Sequence, residues 1–199
     1  MATTTHYNWP IPVATDYVKD GWDAIADLGN AIDTTVYGLG GSGFTLISST
    51  TIGSGVSSVT VSNCFSSTYK NYRVIVSNSD ASSDNYILVK FNNSTGSTYA
   101  HSGIRVNYVS SGSNYNFSTA DTSIVLGTTG MNNDTNVAFD VFNPYGTDYT
   151  TVACTNAGSN TSGFFNGIDK NAASQTGLVF LPGGGTLTGG TIKVYGYKD

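Results

Sequence analysis

Imidazole and thiol groups, which serve most often in nucleophilic and metal chemistry, are scarce in this sequence. It contains two histidines, His6 and His101, and two cysteines, Cys64 and Cys154. A Ser-His-Asp triad could be built on His101, but Ser and Asp are so abundant that such a match carries no information. Zinc ligation by His101 and the two cysteines lacks the short spacing of zinc motifs. We therefore predict no catalytic residue, no metal site and no cofactor.

Carboxylates offer a second kind of chemistry, and all 13 acidic residues are Asp. Glycoside hydrolysis needs two carboxyl groups about 5–10 Å apart, which Asp80 with Asp84, or Asp140 with Asp148, could supply. Segments 80–85 and 132–134 also offer oxygen ligands for Ca²⁺. Turn formation explains Asp and Asn in such segments without any ligand. We expect solvated loop residues for the first pair, and a strand and a turn position for the second.

The glycine-rich segment Gly38–Gly43 matches the dinucleotide-binding string Gly-x-Gly-x-x-Gly. That motif needs a strand before the glycines and a helix after them, whereas the predicted order here is the reverse. We interpret the segment as a linker. The chain has no Gly-Lys pair for a phosphate-binding loop, no Glu for a helical zinc-protease motif and no Gly-x-Ser-x-Gly string.

The composition predicts β structure. Ser, Thr, Asn and Gly account for 94 of 199 residues, and straight-chain helix formers are few. A net charge of −5 argues against a nucleic-acid-binding face, while 39% hydrophobic residues suffice for a core. No apolar run is long enough for a membrane span, and no secretory signal is visible. We expect Cys64 and Cys154 to be free buried thiols, although a disulfide between them stays open.

The first 43 residues are expected to form an anchoring arm, a helix and a linker. Prolines hold the arm around Trp9, Pro10, Ile11 and Pro12 in extended geometry. The helix is predicted over 16–36, capped by Thr15 or Asp16. It packs either on the β domain of its own chain or in a parallel trimer. Gly21 and Gly29 favour close packing against a neighbour. Its apolar stripe, spaced like heptads, consists of Val18, Trp22, Ile25, Leu28, Ile32 and Val36.

Residues 44–199 are predicted to form one β domain. The predicted strands are 44–52, 56–61, 72–77, 86–91, 103–109, 123–126, 137–142, 149–154, 163–168, 178–181 and 191–197. About ten strands with no helix between them indicate an antiparallel β-sandwich, and a jelly roll is the first choice.

Tyrosines near strand ends provide the only candidate for a recognition surface. Tyr99, Tyr108, Tyr115 and Tyr145 lie in segments rich in Asn and Ser. Exposed Tyr with adaptable polar neighbours suits binding of a glycan or a protein. The alternative is that these rings pack into the edges of the sandwich with only the hydroxyl exposed.

The N-terminal segment, about the first 36 residues, resembles a module of tailed-bacteriophage virion proteins. The resemblance covers Thr5–Pro12, with its Trp-Pro-Ile-Pro string, then Thr15–Ile25, with Asp-Tyr-Val-Lys-Asp-Gly-Trp, and Leu28–Thr34. The β region, ending in Gly-Gly-Thr-Ile-Lys-Val-Tyr-Gly-Tyr, looks like the domain that follows that module.

The resemblance implies a homotrimer assembled in a bacterial cytoplasm and built into a virion. Residues 1–36 would bind other virion proteins, and the β-sandwich would project from the particle as a short fibre or spike that binds a host-surface glycan or protein. A capsid decoration or head-fibre protein is the alternative, and a polysaccharide-degrading tailspike is the rival from the enzyme class. We expect no enzymatic activity, no nucleic-acid partner and no membrane partner.

Overall fold

The fold was analysed in a computed structural model, which describes residues 2–13, 17–39, 43–83, 85–108, 112–129, 135–158 and 161–197. The protein is mainly β, with 54% of residues in strands and 12% in helices. The chain divides into an N-terminal unit that ends at Gly43 and a β unit over Phe44–Tyr197. No helix among the described residues is long and apolar enough to cross a bilayer.

The N-terminal arm turns back on itself rather than staying extended. Strands β1 (Ala2–Thr3) and β2 (Pro10–Ile11) pair antiparallel. The Thr4 amide donates to the Trp9 carbonyl at 2.9 Å, and Asn8 takes a positive φ of 54° to close the turn. Two prolines do not prevent this hairpin, because the missing N–H of a proline is tolerated in an edge strand.

A helical segment follows the hairpin and is held to it. A 3₁₀ turn over Val18–Asp20 leads into helix α1 (Gly21–Leu39). Strand β2 contacts α1, and the indole Nε1 of Trp9 donates to Thr35 Oγ1 at 2.8 Å. The predicted helix ends at Val36, three residues too early, so Gly38 is helical and not part of a linker. Thr15 and Asp16 lie outside the described residues, and Tyr17 precedes the 3₁₀ turn without a side-chain cap.

The β unit consists of antiparallel strands that lie in two sheets. Their bounds are β3 (Phe44–Thr51), β4 (Val59–Val61), β5 (Asn71–Ala81), β6 (Asn85–Phe91), β7 (Tyr99–Asn107), β8 (Ser113–Asp121), β9 (Ile124–Thr129), β10 (Thr135–Phe142), β11 (Thr150–Ala157), β12 (Thr161–Asp169), β13 (Leu178–Pro182), β14 (Leu187–Thr188) and β15 (Thr191–Tyr197). Each of these strands overlaps a predicted strand, except β8 and β14.

Eight of the strands form a jelly roll. The small sheet has the order β4-β13-β6-β9, and the large sheet begins β3-β15-β5-β10. We number these eight strands 1 to 8 along the chain. The large sheet then has the order 1-8-3-6 and the small sheet the order 2-7-4-5, which is the double Greek key of a jelly roll. The short strand β14 pairs with β5 beside this framework.

Two inserted hairpins widen the large sheet. Hairpin β7–β8 interrupts the chain between β6 and β9, and hairpin β11–β12 interrupts it between β10 and β13. They meet side by side, so that the large sheet continues from β10 as β11-β12-β7-β8. Strand β8 forms its free edge. Its side chains are exposed or only half-buried on both faces, which explains why no apolar alternation predicted it.

The core lies between the two sheets. Alternate residues of each central strand face it, as in β10, where Val137, Phe139 and Val141 are fully buried. Strand β9 of the small sheet lies close to β12 of the large one, because β12 presents Gly167 there. A Cβ atom at Gly167 would lie 2.5 Å from the Ile124 side chain. The sandwich therefore closes tightly over the inserted strands.

A buried polar network joins two loops at one end of the β unit. Gln175, the only Gln in the chain, is fully buried. Its Nε2 donates to Ser94 Oγ and to the Ala173 carbonyl, each at 3.1 Å, and its Oε1 accepts from the Asn93 amide at 2.8 Å. Ser94 Oγ also donates to the buried carboxylate of Asp169. The network ties the loop after β6 to the loop after β12.

Replacing Gln175 by Ala should lower the free energy of unfolding by about 2 kcal/mol. The change removes three hydrogen bonds and leaves a cavity where a fully buried side chain stood. Urea denaturation would measure the loss. Thr95→Ala, an exposed change in the same loop, is the control and should stay within about 0.5 kcal/mol of the unaltered protein. A similarly small effect of Gln175→Ala would contradict the structural role of the network.

Candidate functional site

Helix α1 and the 3₁₀ turn before it carry apolar side chains that project into solvent. Trp22 and Ile25 are 71% and 66% exposed, and Val18 and Val36 are exposed as well. We call these four residues, with the intervening position Gly29, the exposed stripe. Four large apolar groups on one helix face, uncovered by the rest of the described chain, make the stripe a candidate surface for binding another protein.

The opposite face of α1 packs within its own unit. Ala24 is buried, and Leu28, Ala31 and Thr35 are half-buried on the same face, which is the face that Trp9 reaches from the arm. Leu28 therefore belongs with the intrachain contact and not with the exposed stripe.

The remaining residues singled out in the helix are Ile32, from the predicted apolar stripe, and the two glycines. Ile32 is half-buried, between the two faces of α1. A Cβ atom at Gly21 or Gly29 would meet nothing within 4 Å among the described residues, so the N-terminal unit itself supplies no close neighbour at these glycines. In the arm, Trp9, Pro10 and Ile11 are half-buried.

The four predicted recognition tyrosines do not share one environment. Tyr99 is only 1% exposed, and its hydroxyl accepts a hydrogen bond from the Phe91 amide at 2.8 Å. Its assignment to a recognition surface is therefore wrong, because the alternation of β7 points this ring into the core. Tyr108, Tyr115 and Tyr145 are exposed. The structure does not bring them together as neighbours on one strand or one ladder.

Exposed aromatic residues instead lie on the outer face of the inserted strands. Phe164 is 65% exposed, and Tyr115 and Phe117 are exposed on β8. Ile104 lies directly opposite both Phe164 and Tyr115 in the ladders, so these three side chains form one row. Phe164 and Phe117 were not predicted as recognition residues, because only tyrosines were considered for that role. The alternation Tyr-Asn-Phe in β8 was the signal that could have revealed them.

A shallow valley crosses the outer face of the large sheet beside this row. Ala138 and Ala153 form its floor, Phe164 and Asn166 form one side, and Arg73 with Asp140 forms the other. Thr155 lies between Ala138 and Phe164 in the ladders, and Cys154 completes the lining. We call these eight residues the sheet valley. Ladder pairing places Asn166, Ala153, Asp140 and Arg73 in one transverse row. The depression exists because the two alanines on β10 and β11 are shorter than the side chains around them.

The Asp140 carboxylate in the valley is held by two partners. Arg73 Nη1 lies 3.1 Å from Oδ1 and 3.2 Å from Oδ2, and the Tyr197 hydroxyl donates to Oδ1 at 2.5 Å. Burial and the hydrogen bond to Asp140 raise the pKa of Tyr197 above its usual value. The hydrogen bond with Tyr197 and the charge of Asp140 likewise raise the pKa of Arg73. At ordinary pH the Arg73 guanidinium therefore stays charged and the Tyr197 hydroxyl stays protonated, so both can donate to Asp140.

The two cysteines are free thiols in the core. Cys64 donates to the Val61 carbonyl, and Cys154 to the Leu126 carbonyl at 3.0 Å. Burial raises the pKa of Cys64 to about 12 and raises that of Cys154 further. Neither thiol has nucleophilic character at neutral pH, because the thiolate is the reactive form. Cys64 lies just after β4 rather than within a strand.

His101 and the acidic pairs form no assembled centre among the described residues. His101 is buried, with Nε2 2.9 Å from Asn116 Oδ1 and no partner for Nδ1. Asp148 is exposed in the loop after β10, whereas Asp140 is engaged by Arg73. Asp84 and segment 132–134 lie outside the described residues. In the part of the chain that the structure describes, no group of three His, Cys or acidic residues could hold a metal ion.

No protein-family model, no curated protein and no solved structure matches this chain.

Raising the pH above 9 should destabilise the protein through its buried thiols. Because the pKa of Cys64 is about 12 in the folded protein and 9.0 in its ordinary state, the folded state binds this proton more tightly. The stabilising effect is complete below pH 9 and is lost as the pH rises toward 12, by up to about 1.4 kcal/mol per pH unit. Urea denaturation between pH 8 and 10.5 should show this slope, and Cys64→Ala should reduce it to the part contributed by Cys154, whose pKa is also raised by burial.

Val61→Ala is the matched control for this change. Val61 is buried beside Cys64, so its truncation lowers stability at every pH but leaves the thiol in place. An unchanged slope in Cys64→Ala would show that this thiol titrates in the folded protein as it does in the unfolded chain.

Proposed function

We propose that this protein is a bacteriophage virion structural protein without enzymatic activity. In this proposal it forms a short trimeric fibre or spike, held in the particle by the N-terminal unit, and displays the jelly roll for attachment to a host surface. The observation that carries the proposal is the exposed stripe on α1. It is supported by the resemblance of the first 36 residues to anchoring modules of such virion proteins.

The spacing of the exposed stripe favours a coiled coil. Val18 and Ile25 of the stripe lie seven residues apart, and the half-buried Ile32, which borders the stripe, continues this series. Trp22, Gly29 and Val36 form the second series, which lies alternately three and four residues from the first. Such a stripe is the seam along which parallel helices wind around each other. A helix of 19 residues is marginal alone, so association would also stabilise it.

Three helices fit the stripe better than two. The first series consists largely of β-branched residues and stands in the position that parallel dimers fill with Leu. β-Branched residues there shift the preference toward trimers and higher oligomers. We therefore propose a homotrimer, with three N-terminal units brought together at the seam. Strand β2 covers only the other face of α1, so the seam remains available for this contact.

Three features of the described residues support a binding role over an enzymatic one. The buried thiols are protonated, Asp140 is neutralised by Arg73, and His101 lies in the interior of the β unit. A capsid decoration protein could use the same anchor. A reconstruction of the assembled particle separates the two: a β unit that projects from the tail supports the fibre, and one lying flat on the capsid lattice contradicts it.

Ile25→Asp should dissociate the trimer without unfolding the β unit. The unaltered protein should sediment at three times the 20.8 kDa chain mass. In the variant, three carboxylates would be brought together in an apolar seam, so the protein should sediment as a monomer with its β-sheet circular dichroism preserved. Asn30→Asp adds the same charge at an exposed position outside the stripe and should remain trimeric. The proposal fails if the unaltered chain sediments as a monomer or dimer with an intact helix.

A further inference from the structure

The sheet valley combines an aromatic ring with hydrogen-bonding groups at fixed positions. Phe164 and Asn166 are neighbours on one face of β12, and Asp140 lies in the same transverse row as Asn166, two strands away. Two strand spacings amount to about 10 Å. Between them, the short side chains of Ala138 and Ala153 form the floor, and Thr155 adds a hydroxyl group beside Phe164. A flat ligand of one or two rings could therefore rest between the two sides.

The polar groups of the valley are organised before any ligand arrives. Asp140 Oδ1 is occupied by Arg73 and Tyr197, whereas Oδ2 accepts only the longer contact of 3.2 Å from Arg73. A carboxylate oxygen has room for a further donor. The exposed amide of Asn166 provides both a donor and an acceptor on the opposite side. Binding to such a site costs little side-chain entropy on the Asp140 side, because these groups are already held in place.

We propose that the sheet valley binds a neutral saccharide. A pyranose ring has an apolar C–H face, which can pack on the ring of Phe164, and a rim of hydroxyl groups, which can donate to Asp140 Oδ2 and exchange hydrogen bonds with Asn166. In naming a glycan of the host cell surface as the source, the inference rests on the proposed attachment function. The site itself lies within a single chain and needs no trimer.

The charges and dimensions of the valley favour a saccharide over other ligands. Arg73 and Asp140 are the only charged groups among its lining residues, and they neutralise each other in an ion pair. An anionic or cationic ligand would therefore find no unpaired charge to bind. A stable protein interface buries about 800 Å² on each partner around an apolar centre. The valley is much smaller than such an interface and has polar groups on both sides.

The test begins with an array of defined oligosaccharides from bacterial surface polysaccharides, both neutral and acidic. The unaltered protein should bind at least one neutral oligosaccharide, and titration calorimetry with that compound should give one site per chain. Phe164→Ala and Asn166→Ala should each weaken binding at least tenfold. Because both side chains are exposed, neither change should alter thermal unfolding of the β unit. Tyr86→Ala removes an exposed aromatic ring from β6 of the small sheet and should leave binding unchanged.

Three results would overturn the inference: no binding to any saccharide on the array, binding only to acidic saccharides, or neutral binding that survives Phe164→Ala. The first of these, found with a protein that sediments as a trimer, would leave the fibre proposal standing with a protein as its receptor. If instead the protein is a monomer and binds the neutral saccharide through Phe164, the inference about the sheet valley stands and the proposal of a trimeric fibre fails.

Discussion

The pairing of β11 with β10 is the contact on which the surface of the β unit depends. Without it, the large sheet of the jelly roll would end at β10. The ladder runs from Asn136 opposite Ala157 to Phe142 opposite Thr151, and it gives β12, β7 and β8 a place to continue the same sheet. The aromatic row lies on these added strands, and the sheet valley extends from Phe164 and Asn166 on β12 across β11 to Asp140 on β10. The candidate binding surface thus forms where the β11–β12 insertion joins the jelly-roll framework.

Widening one sheet of a sandwich creates faces that the other sheet cannot cover. On the inner side, β9 of the small sheet covers the added strands: Gly167 permits its approach to β12, and Gly127 permits the contact with Asn156 of β11. Phe165 packs over Gly103 and Gly163. The outer side stays open. The free edge β8 is a potential template for unwanted pairing with other chains. Its composition of Ser, Asn and Thr, and the register shift opposite Tyr99 and His101, make it a poor one.

Alternation between a buried and an exposed face made several strands predictable. The alternation in Val137–Phe142 and in Thr191–Tyr197 located β10 and β15, because their inward residues contact the core. Strand β8 has no such face and was missed. Tyr99 was misassigned because β7 begins four residues before the predicted strand, which places its ring inside. The valley depends on pairing between β10, β11 and β12, and long-range pairing is not encoded in local periodicity.

The two candidate surfaces belong to different units of the chain, and this separation has a physical consequence. A shallow valley with one stacked ring and a few hydrogen bonds offers modest affinity, because each polar contact replaces one with water. Three such sites joined by a helical seam would engage a repetitive glycan surface together, and linked binding can raise overall affinity by 10²–10⁴ without any new contact. Weak individual sites would then suffice for firm attachment. In this view the exposed stripe contributes to attachment without touching the ligand, because it sets how many valleys reach the surface at once.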